Sequence, residues 1–491
     1  MRLVAFLAFA VITASVRAQS PPDDERQAAA DLELISAVER VVARAIERSE
    51  RSVVSIARCR KIPAAAYAAD TRSGIFGPFL REPSPPDPRD PEFVPQSFAT
   101  GVVIDPAGLV LTNNHVLGED PEENEFYVTT IDRKLFEMTI KGRDARSDLA
   151  VLEPKNPRQR RTGDFTPIEF GDASELRKGQ IVIALGNPYA IARDGQPSAS
   201  SGIISNLDRR AGLPRVPMGD SEKSLHHFGS LIQTDARLNL GTSGGALLNK
   251  RGQMIGLTTS LAATSGYEQA AGYALPIDKW FLHIIEQLKQ GLEVEYGLLG
   301  ITPTDAHPAG PVRGAAVFSV TPGYPAWKAK IQPSDVITHV DGRRIYDAAD
   351  LKLHVGKLPP EAVVTLTVVR PNGQTLQRQV KLSKYPNGLP QTVTKRSPDW
   401  RGVRVDYYSA VAPPGDGPHG LSGVGIREVS TGSAAWELGL RRRMLISHVG
   451  KTPVDTPDDF RRAVAGEDGP VELRLVDEQG ATRTIIVPAG P

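Results

Sequence analysis

The stretch Leu240-Gly241-Thr242-Ser243-Gly244-Gly245-Ala246 follows a short apolar run, Leu231-Ile232-Gln233-Thr234, that reads as a β-strand. A serine among such small and flexible neighbours can present its hydroxyl at a tight turn, with backbone N–H groups pointing toward whatever the oxygen attacks. That is the arrangement acyl transfer needs. The same residues also make an ordinary flexible loop, so the reading depends on partners elsewhere in the chain.

Two partners precede it. Thr100-Gly101-Val102-Val103-Ile104, a turn at Asp105-Pro106-Ala107-Gly108, and Leu109-Val110-Leu111-Thr112 read as a β-hairpin, and Asn113-Asn114-His115 follows at its end. Asp148 stands at the mouth of another apolar strand, Leu149-Ala150-Val151-Leu152. Singly, His115 is a packed strand-end histidine and Asp148 a turn or cap residue. Together, His115, Asp148 and Ser243 lie each at the edge of a short strand, in the chain order of chymotrypsin-like β-barrel proteases rather than that of subtilisin or the α/β-hydrolases. In that reading Ser243 is the nucleophile and His115, with an ordinary pKa of about 6.5, its base. Asp148 orients the ring and stabilises the imidazolium, and the N–H groups of Gly241 and Ser243 receive the oxyanion.

The rest of the chain sets the context. Met1 to Ala18 carries Arg2, an apolar run from Leu3 and Val16-Arg17-Ala18, the pattern of a cleaved secretory signal. The run is shorter than the roughly 20 residues of a membrane span. At 491 residues the chain exceeds one core and points to about three domains. The formal net charge of +1 favours neither nucleic acid nor an anionic membrane. A single cysteine, Cys59, makes no internal disulfide, so the folded units depend on their apolar cores. From Asp31 to Arg48, Leu34, Ile35, Val38, Val41, Val42, Ala45 and Ile46 form one stripe of an amphipathic helix, and Lys61 to Gln96 is rich in Pro, Gly and charge, the signature of a long mobile loop.

With these blocks in place the chain resembles the HtrA (DegP/DegS-type) serine proteases with C-terminal PDZ domains. The likeness is carried by Leu111-Thr112-Asn113-Asn114-His115-Val116, Ser147-Asp148-Leu149-Ala150-Val151-Leu152, Ala184-Leu185-Gly186-Asn187-Pro188-Tyr189 and Ile232-Gln233-Thr234-Asp235-Ala236 leading into Gly241-Thr242-Ser243-Gly244-Gly245. It implies two perpendicular six-stranded β-barrels with the triad between them, ATP-independent cleavage of unfolded proteins, and assembly from trimers. Two departures stand out. Thr242 replaces the family's usual Asn and Ala246 its Pro, which leaves open an ill-formed oxyanion loop and a catalytically weak scaffold that only binds peptides.

Gly256-Leu257-Thr258-Thr259-Ser260 resembles the strand that pairs with substrate, and Ala271-Gly272-Tyr273-Ala274-Leu275-Pro276 the segment beside the specificity pocket; core packing is the alternative for Tyr273 and Leu275. Thr258, Thr259, Ser260 and Tyr273 are therefore the expected substrate contacts. His226-His227 reads as a solvated loop, and no metal site or cofactor is expected.

Beyond a helix from Ile277 to Lys289, an internal repeat with an offset of 109 residues matches Pro325-Ala326-Trp327 to Ala434-Ala435-Trp436 and Ile337-Thr338-His339-Val340 to Ile446-Ser447-His448-Val449. Each copy resembles a PDZ domain, which takes a peptide as an added strand and holds its C-terminal carboxylate on a loop. Tyr296, Leu299, Gly300 and Ile301 provide that loop in the first copy; Trp400-Arg401-Gly402-Val403 is a weaker match in the second. The alternative for both copies is a structural spacer.

The expected architecture is mainly β: a signal at 1–18, a helical segment at 19–50, a chymotrypsin-like double β-barrel at 51–290 with its loop at 61–97, PDZ domains at 291–384 and 399–491, and a mobile linker at 385–398. The expected partners are unfolded polypeptides and C-terminal peptides, with no nucleic acid, and a homotrimer or a multiple of it.

Overall fold

The structure is a computed structural model that describes residues 23–61, 95, 97–187, 195–210, 224–259, 272–307, 310, 312–412, 422–476 and 481–489. The signal segment, nearly all of the 61–97 loop and Ser260 lie outside the described residues.

Six strands form the first barrel: β1 (Val53–Arg60), β2 (Ser97–Val103), β3 (Val110–Asn113), β4 (Asn124–Thr129), β5 (Leu135–Asp144) and β6 (Leu149–Pro154). They pair antiparallel in the order β5-β4-β1-β2-β3-β6, and β5 closes on β6. The second barrel closes in the order β10-β11-β12-β9-β8-β7 from β7 (Ile181–Gly186), β8 (Ser198–Arg209), β9 (Leu231–Thr234), β10 (Ala246–Leu248), β11 (Met254–Thr259) and β12 (Gly272–Pro276). Closure removes the unpaired edges that short strands would otherwise expose. One apolar core joins the barrels, with Val102, Leu111 and Leu149 from the first against Leu185, Leu231 and Leu257 from the second.

The helix predicted over 31–48 is longer, α1 (Asp23–Ser49). Only its C-terminal end is seated: Ala45 is buried and the Ser49 hydroxyl donates to the Gly252 carbonyl at 2.6 Å. Further up, Leu34, Ile35, Val38 and Val41 leave an apolar face exposed. Asp278 caps α2 (Lys279–Lys289), accepting from the Phe281 N–H, and α2 buries Phe281, Ile284, Ile285 and Leu288 against the barrels.

The repeat survives in three dimensions. The first copy is a sheet of β14 (Ile301–Asp305), β15 (Ala315–Val320), β16 (Val336–Val340), β18 (Val363–Val369) and β19 (Thr375–Lys381). With it come β17 (Arg343–Arg344), α3 (Pro325–Lys328) and α4 (Ala348–Gly356), and the pair β13 (Gly297–Leu298) with β20 (Ser383–Lys384) flanks it. In the second copy β22 (Val403–Tyr407), β23 (Val424–Val429), β24 (Leu445–Val449), β26 (Val471–Val476) and β27 (Thr482–Val487) form the same order. β25 (Thr452–Pro453), α6 (Ala434–Glu437) and α7 (Pro457–Val464) follow the offset of 109 residues, and each copy has its own apolar core.

The segment expected to be a mobile linker is instead tied down. β21 (Gln391–Val393) adds to the first barrel along Gly142–Asp144 of β5, and the Thr394 hydroxyl donates to the Lys141 carbonyl at 2.7 Å. The physical reason is that β5 extends past its partner β4 and leaves backbone groups that β21 satisfies. Where the linker begins, buried Lys384 binds Glu293 at 3.1 Å, Glu295 at 2.8 Å and Asp406 of the second copy at 2.9 Å; Arg427 joins Asp406 at 2.9 Å. The short helix α5 (Tyr408–Val411) adds a hydrogen bond from Ser409 Oγ to the Lys384 carbonyl at 2.7 Å. These carboxylates hold the Lys384 ammonium far above its ordinary pKa against the opposing effect of burial.

Removing one partner from a buried charge cluster leaves the others uncompensated. Lys384→Met is therefore expected to destabilise the chain by about 3–5 kcal/mol, visible as an earlier thermal transition by calorimetry. An unchanged melting curve would show that the cluster does not hold the second copy.

Candidate active site

The first barrel supplies His115 and Asp148. His115 sits in the short turn of 3₁₀ helix Asn114–Leu117 directly after β3, and Asp148 immediately before β6, which pairs with β3 from Asn113↔Leu149 onward. The ladder thus sets the two residues side by side. Asp148 Oδ1 accepts from the His115 backbone N–H at 3.0 Å, and Oδ2 accepts from the ring Nδ1 at 2.9 Å. The Asp148 carbonyl also accepts from the Asn114 N–H at 3.0 Å. These bonds hold Asp148 in the left-handed region, at φ 56°, a conformation that Asp tolerates at modest cost.

A carboxylate can only accept, so the proton of a neutral ring is on Nδ1 and the lone pair is on Nε2. Nε2 is buried without a hydrogen-bond partner among the described residues. Burial lowers the imidazole pKa, but the charge and hydrogen bond of Asp148 outweigh it, and the ring sits above its ordinary 6.5.

Ser243 comes from the second barrel, on the turn between β9 and β10. Its carbonyl accepts from the Thr100 N–H of β2 at 2.9 Å, a bond that crosses between the barrels. Thr100 is wholly buried: its hydroxyl donates to the Gly241 carbonyl at 2.7 Å and accepts from the Asn187 N–H at 2.8 Å, while its carbonyl accepts from Thr112 Oγ1 at 2.8 Å. A methyl group on Gly244, at φ 84°, would lie 2.1 Å from the Thr100 carbonyl oxygen, and one on Gly241, at φ 93°, 2.5 Å from the Asn187 oxygen. Both positions need glycine for the loop to approach β2 so closely.

Both departures from the family pattern are bonded or packed within this loop. Thr242 Oγ1 donates to the Asn239 carbonyl at 2.7 Å, as a threonine can in a tight turn. The Thr242 carbonyl accepts from Thr258 Oγ1 at 2.5 Å and the Gly245 N–H at 3.0 Å. In a trans peptide the following N–H points the opposite way, so the Ser243 N–H is turned away from β11. Ala246 opens β10, paired with Leu257 and Leu185, and is fully buried.

The expected substrate contacts separate. Thr258 is fully buried, and both its backbone groups serve the serine loop: its N–H donates to the Gly245 carbonyl and its carbonyl accepts from the Gly244 N–H, each at 2.9 Å. That corrects the expectation that it pairs with substrate. Thr259, next along β11, is buried opposite half-buried Tyr273 of β12.

His226 is corrected too, since it is buried rather than solvated. Its Nε2 lies 2.7 Å from the Ser147 carbonyl and its Nδ1 3.0 Å from Ser230 Oγ, and burial pushes its pKa down to about 4. As a neutral ring it braces the residue before Asp148. Among the described residues no cluster of His, Cys, Asp and Glu is arranged to hold a metal ion.

Of the expected carboxylate loop, Leu299, Gly300 and Ile301 line an apolar groove of about 370 Å³ between β14 and α4. Tyr296 does not. Its side chain turns into the protease domain, where its hydroxyl donates to Asp144. Thr100, Asp144 and Arg146 escape sequence reasoning. The available signal was a polar residue inside an apolar strand, as in Phe98-Ala99-Thr100-Gly101-Val102.

Residues 99–257 match the trypsin-like peptidase domain family and 297–382 the PDZ domain family. Over 409 residues the chain is 31% identical to the periplasmic pH-dependent serine endoprotease DegQ of Escherichia coli, covering 82% of each protein. It is 28% identical to a probable periplasmic serine endoprotease, DegP-like, of Hahella chejuensis, covering 90% of this chain and 92% of that one. Among solved structures, the HtrA-type protease AlgW with tripeptide superposes with a TM-score of 0.50 at 24% identity, over 70% of this chain and 97% of that one, a likeness of fold. By its site, its two matched domains and its similarity to DegQ along most of its length, the chain belongs to the HtrA/DegP family of trypsin-like serine endoproteases.

Proposed function

We propose that the protein is an ATP-independent serine endopeptidase of the cell envelope that cleaves unfolded or misfolded polypeptides through an acyl-enzyme. The observation that carries this reading is the His115–Asp148 pair at 2.9 Å, with the basic Nε2 left unengaged at the meeting of the two barrels. In the first step Nε2 takes the Ser243 proton as Oγ bonds to the substrate carbonyl carbon. The oxyanion is received by the N–H groups of Gly241 and Ser243, and the imidazolium is stabilised by Asp148. Collapse breaks the peptide bond, with the proton passing from Nε2 to the leaving amine. A water activated by the same nitrogen then hydrolyses the ester and regenerates Ser243.

Thr259, next to the loop-bonded Thr258, and Tyr273 opposite it on β12 are the remaining candidates for substrate contact, and Leu240 on the serine loop is an exposed apolar side chain. The resemblance of 1–18 to a cleaved signal and the periplasmic relatives support export. The common topology of the two repeats supports a second PDZ domain. The cavity beside β22 and α7, where Arg404, Asp406, Asp458 and Arg461 face Glu293, Glu295 and Lys384 of the junction, is polar where the first groove is apolar.

The exposed apolar face of α1 supports an assembly of copies, taken here as the expected homotrimer. Leu34, Val38 and Val41 edge an apolar hollow of about 320 Å³ with Ile181 and Ile183, and an apolar face of that kind needs cover. Val38→Glu is expected to shift the native mass measured by light scattering from three copies toward one. An unchanged mass would place the contact elsewhere.

Ser243→Ala is expected to abolish cleavage of β-casein while leaving the melting transition in place; residual cleavage at the wild-type rate would refute the assignment. The alternative, a scaffold that only binds peptides, requires the wild type to be equally inert. The pH dependence has a definite sign. His115 must be neutral to act, so the rate falls as pH drops through its raised pKa. Asp148→Asn removes the stabilising charge, and is expected to move that limb to lower pH while reducing kcat by about 10⁴. A limb that stays put in the variant would show that another group controls it.

A further inference from the structure

The groove between β14 and α4 is closed at one end by a residue that belongs to the protease domain. Arg146 lies in the turn between β5 and β6, two positions before Asp148, yet it lines this groove together with Gly297, Gly300 and Gly356. A methyl group placed on Gly356, at the end of α4, would sit 3.6 Å from Arg146 Nη2. The guanidinium is therefore at the end of the groove where the Gly297–Gly300 loop meets the helix.

Its surroundings are unusual for a cation. Arg146 is 3% exposed, and Nε and Nη1 have no hydrogen-bond partner among the described residues. Its contacts are aromatic faces, with Tyr385 at 4.0 Å and Tyr296 at 5.2 Å from the guanidinium carbon. The nearby carboxylate of Asp144 is already occupied, accepting from Ser147, Tyr296 and Gln391. A buried guanidinium with unmet donors is costly unless an anion completes it. The C-terminal end of α4 also presents partial negative charge, which would oppose an anion placed there without a nearby cation.

We infer that Arg146 is the counter-ion for the free C-terminal carboxylate of a peptide with an apolar last residue, bound as an added strand along β14. The inference rests on the reading of this groove as a peptide site and adds what that reading lacks, a charged partner supplied across the domain boundary. The apolar walls, Leu299, Ile301, Leu351 and Val355, suit the last side chain. Nη2, the guanidinium nitrogen beside Gly356, is placed to donate to the carboxylate beyond it. Since the same turn carries Asp148, the peptide end and the catalytic carboxylate are held by one backbone segment.

The test measures binding of a fluorescent octapeptide ending in valine, as the free acid and as the C-terminal amide, to full-length Ser243→Ala protein. The acid is expected to bind at least about tenfold more tightly than the amide, as a charge-assisted pair would give. Adding Arg146→Met is expected to bring that ratio close to one by weakening the acid alone, and Arg146→Lys to retain part of it. Unchanged amide affinity shows that the groove is intact in each variant. A ratio near one before Arg146 is altered, or a full ratio in Arg146→Met, overturns the inference while leaving the groove a peptide site. Failure of both peptides to bind removes the peptide site and the inference with it.

Discussion

A single turn, Asp144 to Asp148, holds a buried carboxylate at each end, and the organisation of the protease domain depends on how those two groups are satisfied. At one end Asp148 takes the His115 ring and backbone together, which fixes tautomer and orientation at once. At the other, Asp144 takes the Ser147 N–H and hydroxyl, the Tyr296 phenol and the Gln391 amide. A buried carboxylate left short of donors would be strongly destabilising, so these bonds are obligatory rather than decorative. Their donors come from the barrel itself, from the start of the first PDZ domain and from the segment that leads to the second copy. Asp148, the PDZ junction and the returning chain thus share one five-residue framework, further braced by neutral His226 on the Ser147 carbonyl.

The serine loop is built on threonines. Thr100 ties the loop carbonyls of Gly241 and Ser243 to β2, Thr258 orients the Thr242 carbonyl from β11, and Thr242 anchors its own turn on Asn239. Each hydroxyl is on a short, stiff side chain, so it fixes a peptide plane at little cost in side-chain entropy. Peptide planes are what an oxyanion hole is made of. Thr242, in place of the family's Asn, thus contributes to the direction of a carbonyl, and through it to the direction of the next N–H.

Much of this was legible in the sequence. His115, Asp148 and Ser243 could be picked out because each closes or opens an apolar strand, and strand ends are where a barrel aims side chains. The 109-residue repeat survives because both copies keep the same turns and core positions. What escaped were interactions between segments distant in sequence. No local pattern says that β5 outruns β4 and recruits Gln391–Val393, nor that Tyr296 abandons the PDZ groove for Asp144. Thr258 was misassigned for a related reason: strand periodicity places a residue on a face, but which neighbour takes its N–H and carbonyl is decided by the loop folded over it. His226 looked solvated because Ser, Lys and His surround it in sequence, whereas its actual neighbours are Ser147 and Ser230.

In the proposed mechanism one serine, activated through one histidine, performs the chemistry. A fluorophosphonate forms a stable ester only with an activated nucleophile, so peptide mapping by mass spectrometry after exposure of the intact protein to such a reagent addresses that claim directly. The expected result is a single adduct on Ser243 that disappears in His115→Ala. An adduct on another residue, or none in the wild-type protein, would contradict it.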